Sequence, residues 1–200
     1  MGRLQIEPGA YLMAAAGLLL LPLQFLTAVS LAVLVHEGSH FLAAKVMGIP
    51  VYSLRIRACG CVLDMPPLSG TQELLCAAAG PAGSLLLLGM IRWAPLLALC
   101  GAVQGLFNLL PVYPLDGGRI LHSCLCLGMG EGTADKVCLW TERVVLLLLL
   151  TAGLMGAVYM NWGILPAAAG LLVAGRFGKT KNSLQTGATR GTIELPFSKR

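Results

Sequence analysis

Apolar runs recur along this chain, near residues 10–22, 23–46, 72–91, 95–127, 139–160 and 162–176, with charged or polar stretches between most of them. A helix rising ~1.5 Å per residue needs about 20 apolar residues to cross ~30 Å of hydrocarbon, and several runs approach or exceed that length. The chain has 200 residues, 56% hydrophobic and only 12% charged, with a mean hydropathy of +0.79. Such values lie outside the range of soluble domains. The sequence therefore predicts an all-α polytopic membrane protein of about six transmembrane helices, with a membrane domain over 1–177 and its core at about 25–128. The first run follows a short polar start with Arg3, as in a secretory signal, but its apolar character continues towards Val35 without a cleavage site. It is expected to stay in the mature protein.

The fourth run, at 33 residues, is too long for one plain span, and NLLPVYPLDGG places Pro111, Pro114, Gly117 and Gly118 inside it. Irregular backbone at membrane depth is tolerated only when buried in protein or lining a cavity, so this interrupted span marks a site. Lys45, Arg55 and Arg57 after the second run, and Arg176, Lys179 and Lys181 after the last, place both termini in the cytoplasm under the positive-inside rule. Arg92 is an exception on the outer side. Between Gly48 and Pro67, VYSLRIRACGCVLDM alternates in part between bulky apolar and polar residues. That pattern fits a small β segment at the membrane surface, able to offer an edge to an extended peptide, or else a polar loop. Residues 178–200, rich in Gly, Thr, Ser and basic side chains, read as a flexible basic tail near anionic lipid.

VLVHEGSHFLAA sets His36 and His40 four residues apart in an apolar helix, where a step of about 400° leaves them roughly 40° apart around the axis. Both imidazoles can reach one metal ion. Glu37 stands beside the first, placed to take a proton from an attacking water without binding the ion itself. Ionisable side chains at this depth are costly unless they serve a function, and a zinc ion would offset that cost. A catalytic zinc commonly has three protein ligands and one open position. Asp116, in the interrupted span between Leu115 and two glycines, is the best third ligand, with a turn aspartate that caps the next helix as the alternative. His122, about 1.5 turns further on, reads as a packed or interfacial histidine. The seven cysteines are scattered, and Cys59 and Cys61 are too close for a zinc ribbon. They read as buried small hydrophobes or free thiols.

HEGSH in the second run, taken with NLLPVYPLDGG in the fourth, resembles the site-2 protease family of intramembrane metalloproteases over roughly residues 25–128. The family pattern of an asparagine, two prolines and a ligand aspartate before glycine falls on Asn108, Pro111, Pro114, Asp116 and Gly117. The resemblance implies Zn2+ as cofactor, substrate binding by Asn108, Pro111, Pro114 and Gly117, and for Asn108 a hydrogen bond to the substrate backbone or oxyanion. AAAGPAGSLL supplies the family's Gly-Pro at Gly80 and Pro81 but has Ser84 where asparagine is common. Small residues along that helix, Ala77, Gly80, Gly83 and Ser84, also suit close helix packing.

The resemblance is greatest to the sporulation stage IV FB branch. It implies a multi-pass enzyme of the cell membrane that cuts a membrane-associated protein, a pro-sigma factor, under the control of a membrane inhibitor or regulator. The lipid bilayer is its surroundings, and no nucleic-acid partner is expected, the net charge of +5 suiting anionic lipid. Two rival classes share intramembrane histidines and carboxylates: a metal-ion transporter and an inactive protease-like scaffold.

Overall fold

The structure is a computed structural model that describes residues 3–57 and 60–159. The expected span at 162–176, the tail at 178–200 and Cys59 lie outside the described residues. In chain order the elements are β1 (Arg3–Ile6), α1 (Pro8–Leu20), α2 (Leu23–Val46), β2 (Ser53–Arg57), β3 (Gly60–Asp64), α3 (Gly70–Leu86), α4 (Pro95–Asn108), α5 (Asp116–Met129) and α6 (Glu131–Tyr159). A 3-10 turn, Leu87–Met90, extends α3. The chain forms two compact units, Met1–Glu142 and Arg143–Arg200. The described part of the second is the apolar stretch of α6 from 143 to 159. The first unit carries the rest.

Three described helices, Leu23–Val46, Gly70–Met90 and Glu131–Gly156, are long and apolar enough to cross a membrane. Six are not reached among the described residues. Pro22 cannot continue a helix from α1, so the first apolar run divides there into α1 and α2. At ~1.5 Å per residue, the 13 residues of α1 and the 14 of α4 each cover roughly 20 Å of a ~30 Å layer. The fourth run is interrupted where expected: α4 ends at Asn108, a turn follows, and α5 begins at Asp116. The helix expected from 139 starts earlier, with Glu131 in a first turn whose partial positive charge favours a carboxylate.

The all-α expectation gives way in one place, a three-stranded sheet in the order β1-β2-β3. The expected β segment supplies β2 and β3, paired antiparallel from Ser53↔Asp64 to Arg57↔Gly60. The sequence reading missed β1. It pairs parallel to β2, Arg3↔Ser53 to Ile56↔Ile6, across the intervening α1 and α2, and no local pattern announces so distant a partner.

Small residues set the helix packing. The buried residues of α2 are Ala28, Ala32, His36, His40 and Ala44, a stripe at four-residue steps, while Leu31, Leu34, Phe41 and Leu42 are exposed on its other faces. Helix α3 packs on α2 with Cys76, Ala77, Gly80, Pro81, Gly83 and Ser84 buried, and α4 turns Ala98, Gly101 and Gly105 inward. Such residues let helix backbones approach where lipid offers no hydrophobic drive to associate. Ser69 and Gln72 form a reciprocal capping box at the start of α3.

Candidate metal centre

Helix geometry brings His36 and His40 to the same side of α2, and the turn before α5 brings Asp116 opposite them. Nε2 of His36 and Nε2 of His40 lie 3.3 Å apart, and Asp116 Oδ2 is 3.1 Å from the first and 3.2 Å from the second. All three residues are buried, exposed by 3%, 6% and 6%. The far side of each ring is held. His40 Nδ1 lies 2.7 Å from the Cys76 carbonyl, which can only accept, so Nδ1 carries the hydrogen and the Nε2 lone pair faces inward. His36 Nδ1 lies 2.8 Å from Ser84 Oγ.

Two ring lone pairs and a carboxylate oxygen this close repel one another unless a cation lies between them. Two imidazoles with one carboxylate are a donor set that zinc accepts, leaving one position for substrate or water. The residues present therefore fit the ion. Among the described residues, His36, His40 and Asp116 form the group able to hold a metal, with one ligand atom from each and all three atoms within 4.8 Å of one another.

Why α3 can lie against this face of α2 is seen at Gly80. A Cβ there would stand 2.1 Å from His40 Nε2 and 2.9 Å from a carbon of the His36 ring. Glu37 is turned by about 100° from His36 and stays outside the ligand group. Its Oε1 accepts from the Cys61 backbone N–H at 3.4 Å, joining the sheet to the site. Burial, and then the Glu37 carboxylate, push the Cys61 thiol above its ordinary range.

The family model described as Peptidase family M50 matches residues 63–151, a stretch that takes in Asp116 and begins after His36 and His40. Zinc metalloprotease MJ0392 of Methanocaldococcus jannaschii is 30% identical over 138 residues, 62% of this chain and 41% of that protein. Rip3 of Mycobacterium tuberculosis is 30% identical over 168 residues, 68% of this chain and 43% of its own length. The chain thus spans about two fifths of the length of these curated relatives. A solved structure, the Site-2 Protease from Methanocaldococcus jannaschii, shares the fold with a TM-score of 0.59 at 24% identity, over 85% of this chain and 86% of that one. These likenesses support one family, peptidase family M50.

In this chain the interrupted span is a packed turn. Val112 N–H donates to the Leu110 carbonyl and Leu115 N–H to that of Val112, and Val112 is 1% exposed. Of the residues expected to meet substrate, Asn108 is the last of α4 and its Nδ2 donates to the Gln104 carbonyl at 3.0 Å. Pro111 is half-buried and Pro114 exposed. Gly117 is buried beneath the turn, where a Cβ would stand 2.1 Å from the Leu109 carbonyl oxygen. The turn needs glycine there for close approach. His122 lies apart from the ligand group and pairs with Asp135 at 3.0 Å.

Contacts outside the ligand group escaped the sequence reading. Cys76 acts through a backbone carbonyl, which any residue could supply, so no side-chain signal exists. Ser84 stands out in the sequence as a departure from asparagine and as a small packing residue, neither of which points to His36. Arg119, three residues after Asp116, and Glu73, at the start of α3, went unweighed, although an arginine inside an interrupted span is a signal in itself.

Proposed function

We propose that this chain is an intramembrane zinc metalloprotease that hydrolyses a peptide bond of a membrane-associated protein. The observation that carries the reading is the convergence of His36 Nε2, His40 Nε2 and Asp116 Oδ2 with Glu37 beside them. The match of residues 63–151 to the M50 family model and three helices able to cross a membrane support it. His36, His40 and Asp116 would hold the zinc ion, which supplies Lewis acidity towards the scissile carbonyl and the attacking water when bound. Glu37 takes a proton from that water as its oxygen bonds to the carbonyl carbon, then returns the proton to the amine as the C–N bond breaks. Asn108 offers a side-chain N–H to the carbonyl as it gains charge. Pro111, Pro114 and Gly117 shape the backbone beside it.

A substrate helix must unwind before its carbonyls can be reached, and β3 lies beside Glu37 as an edge strand to hold it extended. Resemblance to the sporulation branch makes a membrane-tethered pro-sigma factor the substrate class, with a membrane inhibitor or regulator as a further partner. Both termini are read as cytoplasmic from the basic residues.

Co-expression of wild type and Glu37→Gln with a tethered pro-sigma factor tests this function. The expected result is cleavage by wild type, none by the variant, and about one zinc in each purified protein. Undiminished cleavage by Glu37→Gln, or zinc transport by reconstituted wild type without cleavage, would overturn the reading, the second in favour of a transporter.

A further inference from the structure

Arg119 lies in the first turn of α5, where the partial positive charge of a helix N-terminus disfavours a cation. Local helix stability therefore does not explain it. Its guanidinium reaches two carboxylates from different helices. Nη1 is 3.7 Å from Asp116 Oδ1, and Nε donates to Glu73 Oε1 at 3.4 Å. The two oxygens of Asp116 are thus divided, Oδ2 towards His36 and His40 and Oδ1 towards Arg119.

We propose that Arg119 is a positioning residue that restrains Asp116 to a single ligating oxygen, with Glu73 as its tether on α3. The inference rests on the metal-centre reading above. A carboxylate free to rotate can present both oxygens to one ion and fill the position that a catalytic site keeps open. A cation on Oδ1 opposes that rotation. A planar guanidinium spreads its charge over separate nitrogens, Nε towards Glu73 and Nη1 towards Asp116, whereas the three N–H groups of a lysine radiate from a single nitrogen. Outer partners of this kind orient ligands and tune the ion. A cavity of about 370 Å³, walled by Leu63 of β3, Met65, Pro66 and Leu68, ends on the Glu73–Arg119 pair. A polar group arriving beside the edge strand could therefore reach Arg119.

The test uses the full chain in detergent with cobalt(II) in place of zinc, reading visible absorption and metal affinity by competition. Arg119→Gln is expected to bind cobalt about 10- to 100-fold more weakly, with the reduced visible absorption of a higher-coordinate ion. Arg119→Lys should recover part of both, and Glu73→Gln, which keeps an acceptor for Nε, should match wild type. Glu73→Ala leaves Arg119 in place but untethered and should follow Arg119→Gln, so it carries the test if Arg119→Gln does not fold. The spectrum and an affinity within twofold of wild type in Arg119→Gln, or in Glu73→Ala where that variant carries the test, would overturn the proposal and leave the metal-centre reading standing. Cobalt binding by wild type that is absent, or unaffected by His36→Ala, would overturn both.

Discussion

Ser84 has no exposed surface, and its Oγ lies 2.8 Å from His36 Nδ1. For the His36 Nε2 lone pair to face the other ligands, Nδ1 must donate and Ser84 must accept. Ser84→Ala removes that acceptor while leaving a side chain small enough for the same packing. Zinc affinity should fall about 10- to 100-fold, or roughly 1.4–2.8 kcal/mol. Competition titration checks this, and unchanged affinity would reduce Ser84 to a packing role. Gly80 makes the steric counterpart. In Gly80→Ala the new methyl would enter the space of His40 Nε2, so zinc content should fall to near zero even if the protein reaches the membrane. Full zinc occupancy in that variant would show that α3 can move away from α2 at little cost. These two positions explain why small residues along α3, which suit packing, also serve the site.

The sheet raises a separate question, namely which way β3 faces. The Ile56 carbonyl accepts from Glu7 N–H, on the β1 side, and its partner Cys61 donates to Glu37 rather than to β2. Leu63, two residues on, therefore turns its N–H and carbonyl to the outer edge as well. Leu63→Pro removes one outward donor without removing a β2–β3 hydrogen bond. If substrate adds as a strand here, cleavage should slow severalfold with zinc content unchanged. Equal rates for variant and wild type on the tethered substrate would remove the edge from the mechanism. The interrupted span belongs to this scale too. Its glycines let α5 begin directly beneath the turn, and that contact sets the height at which Asp116 stands opposite α2.

Across the whole molecule, the ligands come from helices far apart in the chain, with His40 and Asp116 separated by 76 residues. An ion bound there ties α2 to α5 in the folded state alone. Zinc in 100-fold excess over its dissociation constant adds about 2.7 kcal/mol to stability. A strong chelator should therefore lower the thermal unfolding midpoint of wild type by several degrees, with recovery on adding zinc and no response in His36→Ala. A chelator-insensitive midpoint in wild type would mean that no ion sits at these residues. The exposed leucines and phenylalanines of α2, and the three helices long enough to cross, place this equilibrium in a bilayer or detergent rather than free solution.

Much of this architecture was legible because it is local. Apolar runs announce membrane helices, proline and glycine announce the break between α4 and α5, and HEGSH sets two imidazoles on one helical side through the helix period alone. Period-two alternation likewise marked β2 and β3. What the sequence could not determine depends on distance. The pairing of β1 with β2, the Cys76 carbonyl behind His40, the hydroxyl of Ser84 behind His36 and the reach of Arg119 to both Glu73 and Asp116 are contacts between separate elements. Only packing selects them, because a backbone carbonyl has no residue signature and a hydroxyl or guanidinium gains its role from what the fold sets within hydrogen-bonding reach.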